Sequence, residues 1–145
     1  SSHSFRIVLV STNQKDLIEL PLYEDNRDSL VVIEGEDNVP FSIKRVFIVN
    51  ANVGETRGDH AHKKCSQFMV CASGKIEVIC SDGVNDIRYL LDSPSHGLHV
   101  PPGIWAKEQY LTDDAVLTVL CDRHYEKDDY INDYEEFLKF QRSNK

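Results

Sequence analysis

Short runs of apolar and β-branched residues, each closed by a turn signal, follow one another along almost the whole chain. That succession restricts the fold more than any other feature. The runs occupy residues 5–10, 30–34, 44–50, 67–73, 75–80, 86–91, 97–100, 105–110 and 115–121. Ser73-Gly74, Ser81-Asp82-Gly83 and Asp113-Asp114 punctuate them as turns. Many short strands at close spacing bury their apolar faces by closing into a sandwich or a barrel. One stretch departs from the pattern: over residues 128–140, Tyr130, Ile131, Tyr134, Phe137 and Leu138 fall on one face of a helix. The predicted class is all-β, a barrel with a short C-terminal helix packed on its exterior. With 145 residues, no internal repeat and no linker, residues 1–145 read as one domain, able to bury about two thirds of its unfolded surface. The opening Ser1-Ser2-His3-Ser4 reads as an appended remnant.

The net charge of −8 argues against nucleic acid as a partner, because phosphate contacts need a basic surface. No apolar run approaches the roughly 20 residues a membrane span requires, so no membrane partner is expected. Residues 5–10 read as a strand rather than the apolar core of a secretion signal, and a cytoplasmic location is the expectation. Cys65, Cys71, Cys80 and Cys121 show no Cys-x-x-Cys spacing and read as reduced thiols.

Chemistry concentrates around one strand. Gly54, His60-Ala61-His62, Gln67 and Gly74 stand in the spacing Gly-x5-His-x-His-x4-Gln-x6-Gly. Side chains two apart on a strand share a face, so both imidazoles point one way and Ala61 the other. The spacing resembles the first motif of the cupin barrels, with Gln67 where metal-binding cupins place glutamate. The second cupin motif is represented by the turn Pro101-Pro102-Gly103, followed by Trp105 and Ala106. Gly97 stands too close to that turn to fit the motif's first interval, and Ala106 falls where a third histidine would complete a metal site. A transition-metal site wants three or four nitrogen, oxygen or sulfur donors in defined geometry. His60 and His62 alone fall short, so neither a metal nor another cofactor is expected, and the pair reads as acid–base groups.

A closer resemblance rests on four further segments. They are Phe41-Ser42-Ile43-Lys44-Arg45-Val46, Arg57-Gly58-Asp59-His60-Ala61-His62-Lys63, Gly97-Leu98-His99-Val100-Pro101-Pro102 with Trp105, and Asp129-Tyr130-Ile131 with Asp133-Tyr134. From about residue 25 onward the chain resembles the dTDP-4-keto-6-deoxyhexose 3,4-ketoisomerases, small cupin enzymes of bacterial surface-polysaccharide synthesis. The resemblance implies a metal-free cupin jelly-roll barrel that acts as a homodimer. It further implies conversion of a dTDP-linked 4-keto sugar to its 3-keto isomer, with His60 and His62 matching the essential pair. Residues 106–110, Asp28 and Asn132 depart from the family's usual residues.

Such chemistry suits the residues. Moving a ketone from C4 to C3 requires loss of the C3 proton, passage through an enediol or enediolate, and protonation at C4. Histidine titrates near neutral pH and is suited to carry that proton; which of His60 and His62 does so is left open by the sequence. A developing oxyanion needs a fixed donor or positive charge nearby, and Arg57 is placed to supply it or to hold a phosphate. Arg45 and Arg57 are the candidate diphosphate ligands, because a guanidinium fork matches phosphate oxygens. Gln67 is a candidate partner for a sugar hydroxyl or an imidazole, and Trp105 a candidate stacking platform. His96, His99 and His124 read as loop or surface residues. Alternative readings are a non-catalytic carbohydrate-binding cupin, a 3,5-epimerase of the same sugars, and a metal-dependent dioxygenase recruiting His99. Residues 5–10, as an apolar edge, are expected to be covered by a partner chain.

Overall fold

The computed structural model describes residues 16–144; the run at 5–10 lies outside them. Twelve strands are formed: β1 (Leu17–Glu19), β2 (Leu22–Asp25), β3 (Asp28–Val31), β4 (Arg45–Asn50), β5 (Thr56–His62), β6 (Gln67–Ser73), β7 (Ile76–Ser81), β8 (Asp86–Leu91), β9 (His96–Val100), β10 (Trp105–Tyr110), β11 (Val116–Cys121) and β12 (Tyr130–Ile131). Among the described residues one α-helix, α1 (Tyr134–Ser143), follows. Five-stranded sheets in the orders β1-β9-β6-β11-β4 and β12-β5-β10-β7-β8 face each other as a jelly-roll sandwich, and β2 and β3 form a separate hairpin.

Alternation along the strands builds the core. Met69, Leu98, Leu117 and Val119 from the first sheet meet Ile76, Val78, Tyr89 and Leu91 from the second. β6 is apolar on both faces because Phe68 and Val70, on its outer side, are covered by Val39, Phe41 and Ile43 of the segment before β4. The outer face of the second sheet is covered by α1, whose Phe137 is fully buried with Ala61, Trp105 and Ile131. Removing a phenylalanine ring of this kind from water contributes roughly 2–3 kcal/mol.

The helix begins later than its periodicity predicts. Residues 127–129 form a 3-10 turn, and Tyr130 and Ile131 pair with His62 and Ala61 as an edge strand. Asp133 then takes the N-cap position, with Glu135 and Glu136 in the first turn and Arg142 in the last, as the helix dipole favours. Tyr130 and Ile131 satisfy a helical stripe and a two-residue ladder equally well, and pairing with β5 prevails. Strand predictions that fall on the described residues hold within a few residues, while β1, β2 and β12 had no sequence signal of their own. Among the described residues no helix is long and apolar enough to cross a membrane.

Candidate active site

A break in β5 positions the site. In the β5–β10 ladder, Ala106 pairs with His60 but Lys107 pairs with Gly58, leaving Asp59 as an extra residue. Gly58 (φ 76°) and Asp59 (φ 64°) both occupy the left-handed region, as a β-bulge requires. Without the bulge, Arg57 would face away from His60, three positions on. With it, Arg57 lies opposite Glu108, and both share the inner face with His60. The displaced Asp59 turns outward and accepts a hydrogen bond from Trp105 Nε1 at 3.0 Å.

Between the sheets lies a cavity of about 180 Å³, lined among others by Arg45, Arg57, His60, Gln67, Glu108 and Tyr130. Arg45, Arg57, His60 and Gln67 therefore meet in one space. Arg45 is held by its flat guanidinium, 4.8 Å from the centre of the Phe47 ring and 5.2 Å from that of Tyr125. The Gln67 amide donates toward Cys121 Sγ at 3.8 Å, not to an imidazole.

Trp105 is not brought to this space. It begins β10 on the face opposite Ala106, buried beside Tyr134 and Phe137 of α1 and lining an outer groove with Lys107 and Asn132. Strand alternation separates it from the cavity. His99 likewise lies elsewhere, 6.1 Å from the Phe41 ring on the outer side of β9.

His62 stands behind His60, with ring centres 5.1 Å apart and the planes nearly perpendicular. Tyr130 packs on both, 4.9 Å from His60 and 4.4 Å from His62. His62 Nδ1 is 2.9 Å from Asp129 Oδ2. Asp129 also accepts from the backbone N–H of Lys64 at 2.7 Å and of Cys65 at 3.3 Å. Burial pushes the Asp129 carboxyl up, but the hydrogen bonds from His62, Lys64 and Cys65 outweigh it and hold the group below its ordinary value. An ionised carboxylate has no proton to offer, so Nδ1 of His62 carries the hydrogen and Nε2 the lone pair. Nε2 is buried with no hydrogen-bond partner among the described residues. Burial also lowers both imidazoles: in His60 the neighbouring His62 adds to the effect, and in His62 the opposing pull of Asp129 does not reverse it. Both rings are thus neutral bases at neutral pH.

Donors for a cation are few. A ring nitrogen of His62, Cys65 Sγ and an Asp129 oxygen lie within 4.8 Å of one another, yet His62 Nδ1 is engaged with Asp129 and His60 is not of the group. Opposite His60, the ladder presents the methyl of Ala106.

Glu108, Asp129 and Tyr130 were not singled out as site residues by the sequence reading. Glu108 had a signal: it lies two residues beyond Ala106, on the same face of one strand. Asp129 stood only within a segment of the family resemblance, since its role depends on a chain reversal that returns residue 129 to residue 62.

A two-sheet β-sandwich with a polar, imidazole-bearing interior and a helix on its outer face is a cupin-type barrel. The chain matches the family model described as "FdtA: WxcM-like, C-terminal" over residues 13–142 and belongs to that family. It is 44% identical over 117 residues to the TDP-4-oxo-6-deoxy-alpha-D-glucose-3,4-oxoisomerase of Aneurinibacillus thermoaerophilus, covering 80% of this chain and 84% of the relative. The sugar 3,4-ketoisomerase of Thermoanaerobacterium thermosaccharolyticum, solved in complex with TDP, superposes with a TM-score of 0.84 at 31% identity, over 88% of this chain and 94% of that one. A 3,4-ketoisomerase from Helicobacter canadensis superposes at 0.83 with 32% identity, over 87% and 96%.

Proposed function

We infer that this chain is a sugar-nucleotide 3,4-ketoisomerase that converts a TDP-linked 4-keto-6-deoxy sugar into its 3-keto isomer. The observation that carries the reading is a neutral imidazole facing the same small cavity as two guanidinium groups. The cavity, at about 180 Å³, is smaller than the roughly 300–1,000 Å³ of whole-ligand pockets. It fits the hexose end of the substrate, with the diphosphate toward Arg45 and Arg57 and the nucleotide outside.

In this reading His60 removes the C3 proton and returns one to C4. His62, oriented by Asp129, presents its Nε2 lone pair toward the His60 side and shares the positive charge that develops. Arg57 stabilises the oxyanion. The enzyme acts in the cytoplasm as a homodimer, for which the outer face of the edge strand β4, with Val46 and Ile48 exposed, offers an apolar surface.

Incubation with dTDP-4-keto-6-deoxyglucose in deuterated water tests the reading. The 3-keto isomer should form, with deuterium entering at C3 of the recovered substrate or C4 of the product. His60→Asn should lower the rate by on the order of 10³-fold while leaving the melting temperature within a few degrees. An unchanged substrate with the unsubstituted chain would refute the isomerase reading and favour a carbohydrate-binding cupin. The same preparation should sediment at twice the mass of the 16.6 kDa chain.

A further inference from the structure

Isomerisation of a 4-ketone to a 3-ketone moves two hydrogens, not one. A proton passes from C3 to C4, and a second must pass from O3 to O4. An imidazole directed at the carbon atoms does not by itself provide for the oxygens. The cavity also holds a carboxyl able to do so.

Glu108 lies on the inner face of β10, opposite Arg57 and two ladder positions from the Ala106–His60 pair. It is only 7% exposed, yet it lines the same cavity as His60. Its carboxyl is packed on the bulge: a Cβ added to Gly58 would stand 2.9 Å from Glu108 Cδ and Oε1. Among the described residues no hydrogen bond or ion pair engages that carboxyl. A buried, unpartnered carboxyl costs stability unless something else uses it. The charged and titratable groups facing it are Arg57 and His60 from β5, Cys80 from β7 and Tyr110 from its own strand, with Arg45 across the cavity; Asp59, whose side chain turns outward, acts on it through its charge.

We propose that Glu108 is a catalytic acid–base group of the isomerisation, relaying the proton from O3 to O4 while His60 handles the carbon-bound proton. This rests on the ketoisomerase reading above. As His60 takes the C3 proton, the C–H pair becomes the C3–C4 double bond and the carbonyl π pair moves to O4. Protonated Glu108 gives its O–H proton to O4. Its other oxygen accepts the proton of O3 as C3=O forms, the double-bond pair returns to C4, and C4 takes the proton back from His60. C3 is oxidised, C4 is reduced, and both His60 and Glu108 end as they began. Burial, opposed by Arg57 and assisted by Asp59, raises the Glu108 carboxyl to about 8, so the protonated form the relay needs is present at neutral pH.

The test separates the two proton transfers. Glu108→Gln keeps a donor for O4 but cannot exchange one proton for another between oxygens. In deuterated water with dTDP-4-keto-6-deoxyglucose, E108Q should form the 3-keto isomer about 100-fold more slowly, while C3 of the recovered substrate gains deuterium within about fivefold of the unsubstituted rate. Isomer formation within threefold of the unsubstituted enzyme, or loss of C3 exchange in parallel with it, would overturn the relay. Glu108→Met guards against a folding artefact: it should be inactive and melt at or above the unsubstituted temperature, because it replaces an unpartnered buried acid with an apolar chain. A melting temperature lowered by more than about 4 °C would instead make Glu108 a structural residue and sink the proposal. If the unsubstituted chain itself is inert to this sugar, the ketoisomerase reading fails and the relay falls with it; an active enzyme with an equally active E108Q rejects the relay alone.

Discussion

Asp129 and Glu108 are both largely removed from water, and their surroundings drive them in opposite directions. Asp129 gathers hydrogen bonds from one imidazole and two backbone N–H groups and stays ionised. Glu108 gathers none among the described residues and keeps its proton to about pH 8. Divergent environments of this kind separate an acid from a base. Asp129→Asn would let an amide N–H face Nδ1 of His62 and move the ring hydrogen to Nε2, where the lone pair now stands. We expect kcat to fall about 10²-fold with KM within twofold, since Asp129 positions His62 and lies outside the cavity lining. A KM rise at constant kcat would assign Asp129 to substrate binding instead. At this scale the meeting of His60, Arg45 and Arg57 in one cavity was legible, because spacing on one strand and a matching segment carry them. Trp105 was misplaced because a motif gives its position along β10 but not its face.

At the level of single elements, β5 shows why face is hard to read from sequence. Arg57 and His60 are three apart, which in an unbroken strand sets them on opposite sides. The Gly58–Asp59 bulge brings them together, and nothing in the local composition demands a bulge except the glycine itself. Two substitutions isolate its value. Gly54 has a positive φ of 88° with nothing within 4 Å of an added Cβ, so Gly54→Ala carries backbone strain alone, about 1 kcal/mol. Gly58→Ala adds a collision with the Glu108 carboxyl to similar strain. We expect it to cost about 2–4 kcal/mol and to abolish isomerisation, whereas Gly54→Ala retains it; denaturant unfolding with activity assays compares them. Equal costs for the two would mean that the bulge tolerates a side chain. The helix illustrates the converse difficulty, since its periodicity was correct but its start was set by pairing with β5, a contact across nearly 70 positions of sequence.

For the molecule as a whole, the fold was the most legible level. Turn-bounded apolar runs recur too often for anything but a closed β architecture, and small boundary errors do not alter that. Stability should nevertheless carry a signature of the site. The folded chain holds the Glu108 proton up to about pH 8, whereas the unfolded chain releases it near the ordinary 4.5. Between those values the native state binds the extra proton, so this group's contribution to stability falls as pH rises through the window and levels off above it. The melting temperature of Glu108→Gln should therefore decline less between about pH 5 and 8 than that of the unsubstituted protein. Parallel curves would mean that Glu108 ionises normally in the fold.

Tyr130 leans on both imidazoles, yet it belongs to a strand of two residues at the margin of its sheet. So short a rung detaches at less expense than the long ladders that close the rest of the sandwich. What holds it in place is Ile131, buried with Ala61, Trp105 and Phe137, so the helix on the outer face secures the wall beside the imidazoles.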